Sequence, residues 1–243
     1  MRIPRIYTPQ TLASNSSVEL EAEASHHLLK VLRMDVGRPL VLFNGDGNQY
    51  SGAISRTTKK TAIVLIQKQE HKPNVSPIDI ELAIGLSKGD RFDWVLQKAT
   101  ELGITKISPL ITERSEVKLS GERLEKKMAN WKKIIISACE QCQRNVIPIL
   151  NDVHPLQSFV EHNQSSVKLV LHHRSKEALH NLKPEQSATL LIGPEGGLSD
   201  AEIQTAESQG FIPLKLGNRV LRTETAPIAA LSIMQYLWGD IGV

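Results

Sequence analysis

The sequence predicts a two-module α/β protein: a small, mostly β barrel followed by a domain built on a largely parallel sheet. Three observations predict it. Short strand-like runs crowd residues 40–67, a polar segment with two prolines follows at 69–77, and strand and helix patterns alternate beyond it.

The elements follow in chain order. Leu40–Phe43, Gln49–Ser55 and Thr61–Gln67 read as strands, separated by turn chemistry at Asn44-Gly-Asp-Gly and Thr57-Thr-Lys-Lys. One helix candidate, His26–Met34, interrupts them. The linker then divides the chain into residues 1–72 and 73–243. In the second part, strand candidates lie at Ile80–Leu86, Ile107–Ile111, Val146–Leu150, Val167–Leu171, Thr189–Gly193 and Ile212–Leu216. Helical segments fall between them, and in Arg91–Leu102 the residues Phe92, Val95, Leu96 and Ala99 form one apolar stripe. Such alternation predicts a parallel sheet with helices on both faces.

Composition excludes several classes. The 243 residues are 40 % hydrophobic and 23 % charged, ordinary values for a globular chain. No run of eighteen apolar residues exists, so no membrane span is expected. Met1–Tyr7 is charged and lacks an apolar core, unlike a secretory signal, so a cytoplasmic location is expected. The net charge of +3 is unevenly spread. Residues 1–72 carry ten Lys/Arg against six Asp/Glu, and the rest nineteen against twenty. A basic small module beside a near-neutral larger one suits an attachment that binds a polyanion, although a solvated face gives the same count.

The two cysteines, Cys139 and Cys142, form one Cys-x-x-Cys within a helical pattern where Trp131, Ile135, Ala138 and Cys142 share a face. Packing is therefore favoured over a redox pair, and a metal site would need more ligands than these. The pairs His26-His27 and His172-His173 also lack partners at metal-ligand spacing, so no metal is expected.

Two loops carry the chemistry. In Leu190-Leu-Ile-Gly-Pro-Glu-Gly-Gly-Leu-Ser-Asp-Ala-Glu, a strand enters a loop with three glycines, and Ser199 with Glu202 has capping-box spacing for the helix that follows. Glycines let the backbone approach a ligand closely, and a loop at the carboxyl end of a strand lies where open α/β sheets bind ligands. It matches neither the dinucleotide nor the phosphate-binding glycine motif, and by itself it reads equally as a tight turn. In Leu216-Gly-Asn-Arg-Val-Leu-Arg-Thr-Glu-Thr-Ala-Pro, a second strand ends in glycine and a helix follows, with Pro227 near its first turn and Thr223 or Thr225 as candidate caps. Ile228, Leu231 and Met234, with Leu237 or Trp238, give that helix its apolar stripe. Together the loops suggest one shared pocket, with Arg219 and Arg222 as donors beside it.

The segments Leu191–Ser199 and Leu216–Ala226 together closely resemble the ribosomal small-subunit RNA uridine-N3 methyltransferases of the SPOUT superfamily. The likeness extends to His27-Leu-Leu-Lys-Val-Leu-Arg, Gln97-Lys-Ala-Thr-Glu-Leu-Gly, Glu113-Arg-Ser and Glu140-Gln-Cys-Gln-Arg-Asn. It implies a PUA-like RNA-binding barrel, then a catalytic domain with a C-terminal trefoil knot, a rare exception to the rule against threaded chains. It also implies a homodimer with the active site near the subunit interface, S-adenosylmethionine as cofactor, and N3 of one uridine in 16S rRNA of the small ribosomal subunit as acceptor. The cofactor residues implied are Leu171, Ile192, Gly193, Pro194, Glu195, Gly196, Gly197, Leu216, Gly217, Val220, Leu221, Arg222, Thr223, Thr225 and Ala226.

Methyl transfer from a sulfonium needs no metal, but uracil N3 carries a proton at neutral pH. Its pKa lies roughly two to three units above neutral, so ionisation costs about 3–4 kcal/mol. Donors aimed at the charge developing on O2 or O4 recover part of that cost. Arg222 is assigned this role because a guanidinium is always charged and offers a fork of donors. Glu224 either orients Arg222 or accepts the proton. Arg2, Arg5, Lys30 and Arg33 are the expected RNA contacts in the basic module. Two readings compete: the same domain acting on a ribose 2′-hydroxyl or a transfer RNA base, and an RNA-binding scaffold without activity.

Overall fold

The computed structural model describes residues 3–117, 120–172, 179, 182 and 186–242. The chain forms two compact units, one of residues 1–75 with 136–147 and the other of residues 76–135 with 148–243.

The first unit holds β1 (Arg5–Tyr7), β2 (Ser17–Glu19), α1 (Ala22–His26), β3 (Pro39–Phe43), β4 (Asn48–Thr57) and β5 (Ala62–His71). The sheet order is β1-β3-β4-β5-β2, with β1 parallel to β3 and every other pair antiparallel. All five strands send side chains into one core with Leu28 and Met34, including Ile6, Val18, Leu40, Tyr50 and Val64. That common core follows from period-two alternation along each strand.

The helix expected at His26–Met34 is shifted. It begins at Ala22, passes at His27 into a five-residue π-helical turn, His27–Val31, and stops there. Leu28 is fully buried and Leu29 packs partly buried against the same core, whereas Val31 and Leu32 are 58 % and 41 % exposed, so the apolar anchor of the turn ends at Leu29. Residues 69–71 of the expected linker belong to β5, whose ladder with β4 continues to Asn48–His71.

The second unit holds β6 (Asp79–Gly85), α2 (Arg91–Glu101), β7 (Lys106–Ile111), the start of α3 (Gly121–Cys142), β8 (Ile149–Leu150), β9 (His154–Pro155), α4 (Leu156–His162), β10 (Val167–Leu171), β11 (Ser187–Ile192), α5 (Asp200–Ser208), β12 (Ile212–Leu214) and α6 (Thr225–Trp238). Its seven strands run in the order β12-β10-β11-β6-β7-β8, with β9 also on β7, and every pairing is parallel. Ala83, Val170 and Leu191 pack with Leu156, Val160, Ile203 and Phe211 on one face. Their neighbours Leu82, Leu169 and Leu190 are equally buried, so helices cover the other face too.

Five expectations are corrected in whole or in part. Val146–Leu150 pairs only at Ile149–Leu150, and the strand expected at Ile212–Leu216 ends at Leu214. In α3 the buried stripe is Trp131, Ile135, Ala138 and Cys139, with Cys142 only partly covered. Neither Thr223 nor Thr225 caps α6; Glu224 holds the cap position without a side-chain bond. Of the stripe expected in α6, Leu231 and Met234 are buried, together with Ala226, Pro227, Ala230 and Gln235, whereas Ile228 is only partly covered and Leu237 is 39 % exposed.

Candidate functional site

The strands β12, β10 and β11 are parallel neighbours, so their carboxyl ends lie side by side. Each ends at an apolar residue that enters a cavity: Leu214, Leu171 and Ile192. The two loops the sequence singled out rise from this edge and form the remaining walls. The cavity measures about 210 Å³ and is lined by Leu171, His172, Ile192, Gly193, Pro194, Glu195, Gly197, Leu198, Leu214, Lys215, Leu216, Gly217, Arg219, Val220, Leu221, Thr223 and Ala226. Val220 stands at its rim with 90 % of its surface exposed.

The first loop is wound tightly. The Gly197 N–H donates to the Pro194 carbonyl at 2.8 Å, and Gly197 takes a φ of +68° that favours glycine. A Cβ on Gly193 would lie 2.7 Å from both the Gly197 carbonyl carbon and the Leu198 nitrogen, so a side chain there would force the loop open. Distant residues then fix the loop from outside. Arg114 donates to the carbonyls of Gly196 and Leu198 at 2.9 and 3.3 Å. Glu195 accepts from the Lys88 N–H and from Arg91, each at 3.0 Å. Glu202 bonds the Ser199 N–H at 2.8 Å, completing the capping box, while its other oxygen accepts from the Glu113 N–H at 2.8 Å.

The second loop turns into α6 through the Arg222 carbonyl, which accepts from the N–H groups of Thr225 and Ala226 at 2.9 Å each. Twelve of the residues expected to hold a cofactor therefore line one cavity, from Leu171 to Ala226. Gly196, Arg222 and Thr225 do not line it. Gly196 faces Arg114 instead, and Arg222 and Thr225 are exposed beside the second loop. Glu224 is half-buried and makes no ion pair with Arg222 among the described residues.

Sequence reasoning missed His172, Leu198, Leu214 and Lys215 in the lining, and it gave no role to Arg114, Arg91 or Lys88. The run Glu113-Arg-Ser was the only signal for Arg114.

In the first unit Lys30 and Arg33 are exposed, whereas Arg5 is spent within the fold. Its guanidinium donates to Gln49 at 3.3 Å and to Asn145, and lies 5.5 Å over the Phe43 ring. Burial lowers its pKa, although nearby Cys142, Cys139 and Glu140 act in the opposite direction. Arg2 and His173 lie outside the described residues. Burial also pushes the Cys139 thiol up to about 12, which keeps it protonated and unreactive. No group of three or more His, Cys, Asp and Glu side chains among the described residues is placed to hold a metal. No described helix is long and apolar enough to cross a membrane.

Residues 74–235 match a family model described as an RNA methyltransferase domain. Over 99 % of its length the chain is 36 % identical to a ribosomal RNA small subunit methyltransferase E from Buchnera aphidicola subsp. Schizaphis graminum, of which it covers 98 %. The chain belongs to the ribosomal RNA small subunit methyltransferase E family.

A second family member, from Bacillus subtilis, is 34 % identical, with 94 % of this chain and 93 % of the relative aligned. Residues 20–67 match a model described as an RNA methyltransferase PUA domain. Among solved structures, a Legionella pneumophila methyltransferase in complex with S-adenosylmethionine superposes with a TM-score of 0.97 at 45 % identity, covering 99 % of this chain and all of the other. A Neisseria gonorrhoeae member of the family, bound to S-adenosylmethionine, gives a TM-score of 0.93 at 37 % identity with the same coverage. The architecture is thus an α/β methyltransferase domain preceded by a PUA-type module.

Proposed function

We propose that this chain transfers a methyl group from S-adenosylmethionine to N3 of one uridine in small-subunit ribosomal RNA. The observation that carries the reading is the single cavity formed by both glycine loops at the carboxyl edge of β10, β11 and β12, in a chain whose relatives of the same fold hold that cofactor. The cavity suits it. Leu171, Ile192, Leu214, Leu216 and Leu221 offer apolar contact for a flat base. Gly193, Gly197 and Gly217 leave backbone groups open to hydrogen bonding where a Cβ would intrude or a left-handed turn is required. The cofactor supplies an electrophilic methyl on sulfur, so the protein's own task lies with the acceptor.

That task is to make N3 nucleophilic. Arg222, exposed beside the second loop, donates to the uracil oxygen on which charge develops. Glu224, two residues on at the cap position of α6, either orients Arg222 or takes the N3 proton. The first unit, residues 1–75 with 136–147 rather than the expected 1–72, acts as the RNA-binding module, and the second unit as the catalytic one. Phosphate contact there falls to Lys30 and Arg33, because Arg5 is committed to Gln49, Asn145 and Phe43. The same reading makes the protein a cytoplasmic homodimer with a C-terminal trefoil knot.

Incubation of the full-length protein with S-adenosylmethionine and unmethylated small subunits, followed by nucleoside mass spectrometry, tests the reading. N3-methyluridine is the expected product. A 2′-O-methyl nucleoside, or no product despite cofactor binding, would overturn it.

A further inference from the structure

Beyond β6 the chain runs Leu86-Ser-Lys-Gly-Asp90 into α2, and Ser87 lies there only 7 % exposed with a hydroxyl that has no hydrogen-bond partner among the described residues. Buried polar groups without partners are rare and point to a group not present in the protein itself. Ser87 lines a second cavity of about 710 Å³ that shares no lining residue with the first. Arg123, Lys126 and Lys127 face it from the first two turns of α3, at spacings that place all three on one side of the helix. The positive end of a 22-residue helix adds to the same field.

The lining holds Lys88, Arg123, Lys126 and Lys127 against two carboxylates, Asp90 and Glu116. Lys88 pairs with Glu116, Lys126 with Glu122 at 2.7 Å, and Lys127 with Asp93 at 3.1 Å. Arg123 makes no ion pair among the described residues. The one aromatic lining residue among the described residues, Trp131, is 1 % exposed, so its ring face is not available for a base to stack on. The donor set therefore suits a phosphate. The cavity also adjoins the cofactor loop, because Lys88 and Arg91 both bond Glu195.

We propose that this cavity is an anion subsite that takes a phosphodiester of the acceptor RNA strand beside the nucleotide being methylated. The inference rests on the RNA-methyltransferase reading above. Ser87 donates its hydroxyl to a phosphate oxygen, Arg123 adds its fork of donors, and Lys88 exchanges Glu116 for the phosphate.

The test uses the full-length protein, unmethylated small subunits, and the variants Ser87→Ala and R123E/K126E. For R123E/K126E the subunit KM should rise about tenfold or more, and the slope of log KM against log salt should fall by about one to two. For Ser87→Ala the KM should rise about fivefold while the melting temperature holds or increases, since an unpartnered buried hydroxyl is removed. Affinity for S-adenosylmethionine should stay within twofold in both. Unchanged KM values in both variants would overturn the proposal, as would cavity binding of inorganic phosphate that leaves subunit KM insensitive to either change. Failure of the unaltered protein to methylate subunits would instead defeat the parent reading.

Discussion

Arg114→Ala tests how the cofactor loop is held. Arg114 is exposed, yet its guanidinium bonds the carbonyls of Gly196 and Leu198 at 2.9 and 3.3 Å. Gly196 is exposed, so water replaces the lost donor there; Leu198 is buried, so its carbonyl loses more. A net hydrogen bond is worth about 1 kcal/mol, and one to a charged group more. The pair thus contributes about 2 kcal/mol to the loop's bound shape. Because Glu195 and Glu202 still anchor the loop, Arg114→Ala should fold normally, with a melting temperature close to that of the parent. The loss should appear in binding, as a roughly 30-fold weaker dissociation constant for S-adenosylmethionine by calorimetry. Arg114→Lys, which keeps a charge but not the fork, should fall between. An Arg114→Ala affinity within twofold of the parent would refute the argument that this clasp shapes the pocket.

Three further outcomes are expected. Arg222→Ala should abolish methyl transfer while leaving cofactor affinity within a few-fold, since its side chain lies outside the cavity lining; near-normal turnover in a single-turnover assay would contradict its assignment. Gly193→Ala should lose cofactor binding in the same calorimetric assay, because its Cβ would meet Gly197 and Leu198 at 2.7 Å; retained affinity would show that the loop can open without harm. Glu140 has a raised pKa, first through burial, although the Tyr7 N–H bond and the charges of His27 and Arg5 pull it down. An acid with a raised folded pKa destabilises the fold when ionised, and this penalty fades as pH falls through that pKa towards the unfolded value. Glu140→Gln keeps an acceptor for Tyr7, so it should raise the melting temperature at pH 8 and lose that advantage by about pH 4. An advantage independent of pH would contradict the charge argument.

The central strands were legible because burial on both faces leaves mostly apolar runs, as in Ile80–Leu86, broken only by Glu81 and Gly85, and Leu190–Ile192. β1, β2, β8 and β9 have only two or three residues each, too few to set a period. Val146–Leu150 has strand composition, but the chain before it is held by Asn145 through bonds to Lys72, Pro73 and Gly47, not by a ladder. The π-helical turn at His27–Val31 depends on i→i+5 bonding, which leaves no periodic mark in so short a segment. Both loops that wall the cavity at the carboxyl edge of β10, β11 and β12 were readable from their glycines. The residues that fix them were not, because Arg114 and Arg91 stand 82 and 104 residues from their partners. Only the sheet order, with β6 beside β11, brings them together.

The most direct test of the account is the nucleoside composition of small-subunit ribosomal RNA from cells lacking this protein. The account predicts that N3-methyluridine disappears while other methylated nucleosides persist, and that the unaltered protein, but not Arg222→Ala, restores it. An undiminished N3-methyluridine level in those cells would contradict it.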